Sequence, residues 1–256
     1  MRHKLASAYH STSPKQHFAT PPSTHPPIRS ECAHLPAARL PALPPLRPGT
    51  ASEIARLAEM RGLSREGVAL ASEKGLLRFS EYKGRSGWFI VDASGRVAQG
   101  RRLDGVPWAD GVKAWTLAGS QAARPVGIGE AASFPAVALV EGGPDLLAAC
   151  SFLAVEARQR DCAPVAMLGG CARIHANALP LFAGKRVRIF PHVDDTGDNA
   201  ANRWAEQLTE ARADVDAFSL AGLRRTDGAT VKDLCDLAAI HSQDFEAHRC
   251  LWSLFP

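Results

Sequence analysis

Long apolar runs are absent from this sequence, and their absence excludes two classes of protein. No apolar stretch approaches the roughly 18 to 20 residues that a membrane-spanning helix requires. The N-terminus also lacks the apolar core of a secretory signal. We therefore expect a soluble, cytoplasmic protein without a membrane partner. With 256 residues, of which 46% are hydrophobic, the chain can bury a sizeable core.

Cysteine pairs of the C-x-x-C type and tyrosines of any kind are also scarce. The six cysteines are scattered and no two of them form a C-x-x-C pair, so neither a disulfide scaffold nor a zinc ribbon is indicated. Tyr9 and Tyr82 are the only tyrosines, which leaves few candidates for a tyrosine-linked cleavage reaction. The formal net charge of +4 permits contact with nucleic acid without indicating it.

Acidic residues are nearly absent from the first 48 residues. This segment contains ten of the 18 prolines and six Lys or Arg residues, but its one acidic residue is Glu31. Such a composition predicts a disordered, Pro-rich tail over 1–48. A transit peptide is an alternative, but the prolines interrupt the amphipathic helix that it would need.

The patterned sequence begins with a region that we assign to a small α+β subdomain over 49–130. The predicted elements are a helix that starts in the capping box Thr50-Ala51-Ser52-Glu53 and ends at Gly62, a second helix over 64–74, and strands over 88–92 and 97–103. This subdomain is basic, because it carries Arg101, Arg102 and Lys113.

From Phe134 the pattern alternates between strands and helices. Strands are predicted over 136–140, 165–168, 187–190 and 215–220, with a helix between each successive pair. Such alternation predicts an α/β domain in which a parallel sheet carries helices on both faces. We assign 131–245 to this domain and 246–256 to a C-terminal tail.

Carboxylates directly follow two of these strands. Glu141 ends the first strand and opens the turn Glu141-Gly142-Gly143-Pro144-Asp145. The third strand leads into Asp194, Asp195 and Asp198. Because the C-terminal ends of parallel strands meet at one edge of a sheet, we expect these side chains to converge on one ion. Oxygen ligands of this kind suit Mg²⁺ or Mn²⁺.

Other residues at this edge are candidates for the same site. Gly142, Gly143 and Gly197 allow sharp strand-to-helix turns and let the backbone approach a phosphate closely. Asp233 and Asp236 follow the fourth strand and could complete the acidic cluster. Two simpler interpretations stay open: Asp195 and Asp198 could cap a helix, and Asp233 and Asp236 could lie in a solvated loop.

These motifs resemble those of the Toprim domain, which DnaG-type primases, topoisomerases and several nucleases share. The run Glu141-Gly142-Gly143-Pro144-Asp145 matches the E-G-x-x-D motif, and the segment from His192 to Gly197 matches D-x-D-x-x-G except that His192 replaces the first Asp. Upstream, Trp88-Phe89-Ile90-Val91-Asp92 and Gly100-Arg101-Arg102-Leu103 are similar to the basic subdomain of DnaG-type primases, particularly those of phages and mobile elements.

The resemblance implies a Toprim-like (Rossmann-like) fold and a primase-like nucleotidyltransferase. Such an enzyme makes short primers on a single-stranded DNA template from nucleoside triphosphates, as a DNA-directed RNA polymerase, with Mg²⁺ or Mn²⁺. By resemblance, Glu141, Asp194 and Asp233 would hold the ions, while Arg101 and Lys113 would contact phosphates. Since the sequence contains neither a zinc ribbon nor a helicase-like segment, we expect a separate helicase or a zinc-bearing template-recognition subunit as a partner.

Two other functions remain open at this point. One is a Toprim nuclease that cleaves nucleic acid with a metal-bound water. The other is a non-catalytic nucleic-acid-binding module, which is favoured if His192 prevents metal binding, because imidazole is a poor ligand for Mg²⁺.

Overall fold

The computed structural model describes residues 2–3, 42–241, 243–244 and 254–256. The predicted tail over 1–48 lies largely outside these residues, as does most of the predicted C-terminal tail over 246–256. Ordered contacts begin before residue 49, because the backbone of Arg47 pairs with that of Phe79. The Arg47 guanidinium also forms an ion pair with Glu53 at 2.7 Å.

Two short helices begin the folded region, and both confirm the prediction. The first, α1, spans Ala51–Arg61, and Thr50 caps it in the predicted capping box. Gly62 ends α1 in the left-handed conformation, at φ +63°. The second helix, α2, spans Arg65–Glu73. Ser64 caps it by accepting a hydrogen bond from the Gly67 amide at 3.0 Å.

An antiparallel sheet follows these helices. Its four strands, in spatial order, are β2 (Leu77–Tyr82), β3 (Arg85–Val91), β4 (Ala98–Arg102) and β5 (Trp115–Thr116). β3 and β4 confirm the two predicted strands, whereas β2 and β5 are additional. β2 escapes a pattern search because the polar Ser80 is buried beside Phe79, and β5 has only two residues.

The second sheet is built on four parallel strands. They are β6 (Ala136–Glu141), β7 (Cys162–Met167), β8 (Arg186–Phe190) and β9 (Asp214–Phe218). With the two-residue strand β1 (Arg2–His3), which pairs antiparallel with β9, the spatial order is β1-β9-β8-β6-β7. The C-terminal ends of all four parallel strands therefore lie at one edge of the sheet.

Helices cover both faces of the parallel sheet, as predicted. Helix α3 spans Gly143–Val155 and helix α4 spans Asp195–Glu210. Alternate residues of β6 point to opposite faces: Ala138 and Val140 pack in one core with Leu147 of α3, and Leu139 packs in the other with Trp204 of α4. The α/β class and the Toprim-like arrangement of the sheet are thus confirmed.

The chain between β7 and β8 differs from the prediction. In place of a helix it contains a loop with a 3-10 turn at Leu179–Phe182. Pro180 lies in the first turn, where it prevents this helix from extending toward its N-terminus. β7 also begins at Cys162, ahead of the predicted start at Val165. Its Pro164 lacks an amide donor, but β7 is the last strand in the sheet order, where proline is tolerated.

The two sheets share one hydrophobic core. Helix α2 packs closely on α3, since a Cβ atom added at Gly67 would lie 2.2 Å from the Ser151 Cα. Strand β3 approaches the start of α3 in the same way, because a Cβ atom at Gly143 would lie 2.9 Å from the Ile90 Cγ1. The division near residue 130 therefore stays a prediction. No helix in the described ranges is both long and apolar enough to cross a membrane.

Candidate active site

The turn from β6 into α3 places two carboxylates at the C-terminal edge of the parallel sheet. Glu141 is the last residue of β6, and Gly142 follows it at φ +97°, a conformation that favours glycine. Asp145 lies in the first turn of α3 and is 3% exposed. This turn therefore holds Glu141 at the strand end and buries Asp145 one helical turn later.

The turn from β8 into α4 brings His192 to the same edge. Asp194 is the N-cap of α4, and its carboxylate accepts a hydrogen bond from the Gly197 amide at 2.8 Å. A Cβ atom at Gly197 would lie 2.3 Å from the His192 carbonyl oxygen, so only glycine lets α4 begin this close to His192. Asp195 and Asp198 lie in the first turn of α4 and are exposed.

His192 connects the ends of β8 and β6. Its Nε2 atom lies 2.9 Å from the Asp145 carboxylate and 3.1 Å from the Glu141 carbonyl oxygen. The hydrogen bond to Asp145 raises the pKa of His192 to about 9. Burial raises the pKa of Asp145 to about 6, although the hydrogen bond from His192 opposes that shift. The two side chains therefore form an ion pair between about pH 6 and pH 9.

A third segment adds Asp233 to this pair. The Lys232 carbonyl accepts a hydrogen bond from the Val193 amide at 2.7 Å, and the Cys235 amide donates to Asp145 at 2.9 Å. As a result, Asp145, His192 and Asp233 each offer a ligand atom, and these atoms all lie within 4.8 Å of one another. We call these three residues the acid-imidazole cluster.

The other predicted acidic residues have different neighbours. Asp236 accepts hydrogen bonds from Arg225 and from the Lys232 amide, each at 3.1 Å, so it faces away from the cluster toward an arginine. Asp194 serves as the N-cap of α4, and Asp195 and Asp198 follow it in the first turn. Glu141 contacts His192 through its backbone carbonyl, while its side chain lies against a glycine loop.

The Glu141 carboxylate has the features of an incomplete ligand site. Its Oε2 atom is buried and has no hydrogen-bond partner among the described residues. Gly170 borders the other oxygen so closely that an added Cβ atom would lie 2.3 Å from the Glu141 Oε1. Arg203 of α4 donates a hydrogen bond to the Gly170 carbonyl and so holds this loop. A divalent metal ion fits this site, because it would satisfy the buried oxygen.

Two arginines of the N-terminal region lie near the acid-imidazole cluster. Arg61 ends α1 and Arg101 lies on β4, and their guanidinium carbons lie 5.6 and 6.0 Å from the centre of the Trp88 ring. Neither side chain forms an ion pair with any described residue, and both Nε atoms are buried without a hydrogen-bond partner there. These guanidiniums therefore remain available to an anion.

Electrostatics place Arg101 near the cluster. Burial lowers the pKa of Arg101, the nearby charge of Arg61 lowers it further, and the charges of Asp145 and Asp233 oppose this shift. Lys113, the other predicted cation, is exposed just before β5 and forms no ion pair with a described acidic residue. Arg101 is thus part of the site's surroundings, and Lys113 lies on the surface.

Three residues of this site were not among the predicted ones. Asp145 and His192 appeared in the sequence motifs, but only their pairing across two strand ends makes them central. Arg61 gave no signal beyond its position immediately before the helix-ending Gly62. It joins the site because α1 packs beside Trp88 of the antiparallel sheet.

No protein-family model and no curated protein sequence matches this chain. Among solved structures, the primase fragment of the bacteriophage T7 primase-helicase protein is similar, with a TM-score of 0.50 and 16% identity over 76% of this chain and 72% of that chain. A structure of bacteriophage T7 lagging-strand DNA polymerase with two primase domains, an RNA/DNA hybrid and dTTP matches with a TM-score of 0.44 and 14% identity, over 74% of this chain and 84% of that chain. This chain therefore has the fold of a phage DNA primase fragment, with the Toprim-like sheet that its strand-end motifs predict.

Proposed function

We propose that this protein is a metal-dependent nucleotidyltransferase of the primase type, which makes short primers on single-stranded DNA from nucleoside triphosphates. One observation carries the proposal: the acid-imidazole cluster lies near the two guanidiniums of Arg61 and Arg101, which have no acidic partner among the described residues. A nucleoside triphosphate with a divalent ion needs both kinds of group, because carboxylates hold the ion and guanidiniums bind phosphate oxygens.

Arg101 and the carboxylates of this site lie close together without forming ion pairs with one another. Asp145 and Asp233 affect the pKa of Arg101, yet neither forms an ion pair with it. Charged residues with a purely structural role would instead form direct ion pairs with one another. An arrangement that keeps cations and carboxylates near but apart supports the binding of a ligand that carries both phosphates and a metal ion.

In the proposed reaction, the 3′-hydroxyl of one nucleotide attacks the α-phosphate of the next. The bond between the hydroxyl oxygen and the α-phosphorus forms, the bond between the α-phosphorus and the bridging oxygen breaks, and pyrophosphate leaves. We assign the hydroxyl proton to the Glu141 carboxylate, whose Oε2 atom has no described partner. Arg61 and Arg101 stabilise the charge that develops on the leaving pyrophosphate.

A bound Mg²⁺ or Mn²⁺ ion would supply Lewis-acid stabilisation of the α-phosphate. The residues proposed to hold such ions are Glu141, Asp194 and Asp233, with Asp195, Asp198 and Asp236 as outer candidates. Gly142, Gly143 and Gly197 let the backbone come close to the phosphates. Lys113, being exposed, is assigned to the template backbone, which it would contact without reading the sequence. A separate helicase or zinc-bearing subunit remains part of the proposal.

The test is a primer-synthesis assay with purified protein, single-stranded DNA, labelled nucleoside triphosphates and either Mg²⁺ or Mn²⁺. We expect short oligonucleotides from the natural protein and at least about a hundredfold less product from Glu141→Gln. Glu210→Gln is the matched control, because Glu210 is exposed at the far end of α4 and should leave synthesis unchanged. Shortening of the template, without new oligonucleotides, would instead identify a nuclease.

A non-catalytic nucleic-acid-binding module is the second candidate, and the His192–Asp145 ion pair favours it. This pair satisfies one cluster carboxylate internally, and Asp194 is engaged as a helix cap. Such a module would bind single-stranded DNA equally well with and without a divalent ion, and it would give no product. Binding to labelled DNA in the presence of a chelator, measured beside the synthesis assay, distinguishes the two candidates.

A further inference from the structure

The acid-imidazole cluster differs in donor chemistry from an all-carboxylate magnesium site. In the Toprim pattern that this sequence resembles, the position of His192 is occupied by Asp. Here the cluster offers two carboxylates and one imidazole. The inference below rests on the proposed function, since it concerns the metal that the same site uses.

Imidazole nitrogen is a ligand for transition-metal ions rather than for Mg²⁺. Mg²⁺ is a hard ion that takes oxygen ligands in near-octahedral geometry. Imidazole suits borderline ions such as Zn²⁺, and a site with three protein ligands leaves a position open for substrate. His192 is not at the margin of the cluster, because its Nε2 atom lies only 2.9 Å from the Asp145 carboxylate.

The separations within the cluster are compatible with a single ion. Three ligands that each bind an ion at about 2.1 Å lie about 3 to 4 Å from one another. The ligand atoms of Asp145, His192 and Asp233 already lie within 4.8 Å of one another, so small side-chain rotations and release of the His192 Nε2 proton on metal binding are sufficient. The Cys235 amide fixes one Asp145 oxygen from outside, which leaves the oxygen that faces His192 for the ion.

We propose that Asp145, His192 and Asp233 bind a first-row transition-metal ion, such as Co²⁺ or Zn²⁺, in preference to Mg²⁺, and that His192 sets this preference. His192 also contacts the backbone carbonyl of Glu141, the residue whose carboxylate carries the buried Oε2 atom. An ion bound by this cluster is therefore a transition-metal ion rather than Mg²⁺.

The test measures binding directly, without nucleotide or DNA. The full chain, freed of metal with a chelator, is titrated with Co²⁺ at pH 8 while its visible absorption is recorded. The first 34 residues contain five histidines, which can bind Co²⁺ nonspecifically. The signal of the site is therefore the difference between the natural protein and His192→Asn, and His241→Asn, at an exposed histidine, is the matched control.

We expect a His192-dependent absorption band that saturates at one equivalent of Co²⁺. Zn²⁺ should displace the bound Co²⁺, whereas about a hundredfold excess of Mg²⁺ should not. His192→Asp should lower the Co²⁺ affinity at least about tenfold and let Mg²⁺ compete. Asp233→Asn should also weaken the band, which covers the case in which His192→Asp does not fold.

Two outcomes would overturn the inference: displacement of Co²⁺ by Mg²⁺ as readily as by Zn²⁺, or the same absorption in natural protein, His192→Asn and Asp233→Asn. A failure of the proposed function would give a different experimental result. An intact His192-dependent band together with no primer product in any metal would reject nucleotidyl transfer while leaving the metal site in place.

Discussion

The two edges of the parallel sheet differ in how completely their charged groups are paired. Toward the N-terminal edge, Arg188 in the middle of β8 binds both oxygens of Asp216 at 2.8 and 2.6 Å, and Arg158, which precedes β7, pairs with Asp161 at 3.1 Å. At the C-terminal edge, the Glu141 Oε2 atom is buried without a partner among the described residues, as is the Arg101 Nε atom that lies near this edge. Ion pairs hold the first of these edges, whereas the second carries an unpartnered carboxylate oxygen and an unpartnered guanidinium nitrogen beside its His192–Asp145 pair.

This difference supports a structural role for one edge and the proposed ligand-binding role for the other. Leaving a buried polar group unpaired costs about 1 to 3 kcal/mol, so a folded protein keeps such groups mainly where a ligand completes them. The unsatisfied groups lie where open α/β sheets bind ligands, at the C-terminal ends of the strands. Substitutions at the two edges should therefore have opposite effects on activity and stability.

The largest effect is expected from Arg101→Gln, which removes a guanidinium that lies near the acid-imidazole cluster. Primer synthesis should fall about a hundredfold, because one phosphate-binding group is lost. The midpoint of thermal unfolding should stay the same or rise, since burial and Arg61 already disfavour this charge. Arg85→Gln, at the exposed start of β3, is the control for both measurements. A stability loss that accounts for the lost activity would contradict the assignment.

Arg188→Gln tests the opposite edge. Arg188 is 5% exposed, and its loss leaves Asp216 without its bidentate partner. We expect the free energy of unfolding to fall by about 2 kcal/mol, less than for a fully buried pair because Asp216 can be hydrated. Urea denaturation checks this value, with Arg186→Gln two residues earlier on β8 expected within about 0.5 kcal/mol of the natural protein. Primer synthesis per folded molecule should not change; a specific loss of synthesis would erase the distinction between the edges.

Gly170→Ala should displace the Glu141 carboxylate with little effect on folding. The added Cβ atom would lie 2.3 Å from the Glu141 Oε1, and the end of a flexible side chain can move away. We expect about a tenfold loss of primer synthesis, because a displaced group no longer accepts the proton in the correct geometry, and less than about 1 kcal/mol of destabilisation. At Gly129 an added Cβ atom meets nothing within 4 Å, so Gly129→Ala provides the matched control. Equal activity of the two variants would remove Glu141 from the mechanism.

The smallest effect is a dependence of stability on pH. The pKa of His192 is raised to about 9 from 6.5, by Asp145 first and also by the charges of Glu141 and Asp233. Its stabilising contribution is therefore complete below about pH 6.5 and is lost as the pH rises through 9. Between pH 6.5 and 8.5 we expect a loss of about 1 kcal/mol, reduced by solvent because the side chain is 28% exposed.

The control for this pH effect is His192→Asn, which keeps every cysteine and all other titratable groups. Its free energy of unfolding should vary less over the same pH range, as measured by urea denaturation at each pH. A parallel dependence in both proteins would show that His192 is not the group responsible.

Local patterns in the sequence predicted most of the secondary structure. The capping box at Thr50 and Glu53 and the ending at Gly62 place α1 correctly, because both signals act within a few residues. The patterns failed where contacts with distant parts of the chain outweighed local sequence preferences. Ser80 is buried in β2 by its neighbours in the sheet, and the chain before β8 crosses as a loop rather than as a helix.

The sequence by itself determined that Glu141, Asp194 and Asp233 follow strands of a parallel sheet, because strand ends and turn glycines are local features. Only the tertiary structure decided which side chains meet. Asp145 pairs with His192 across 47 residues and with the Cys235 amide across 90 residues, and Arg61 arrives on a helix that packs beside Trp88. Such contacts depend on the order of strands and on the packing of helices, and local spacing along the chain does not encode those distances.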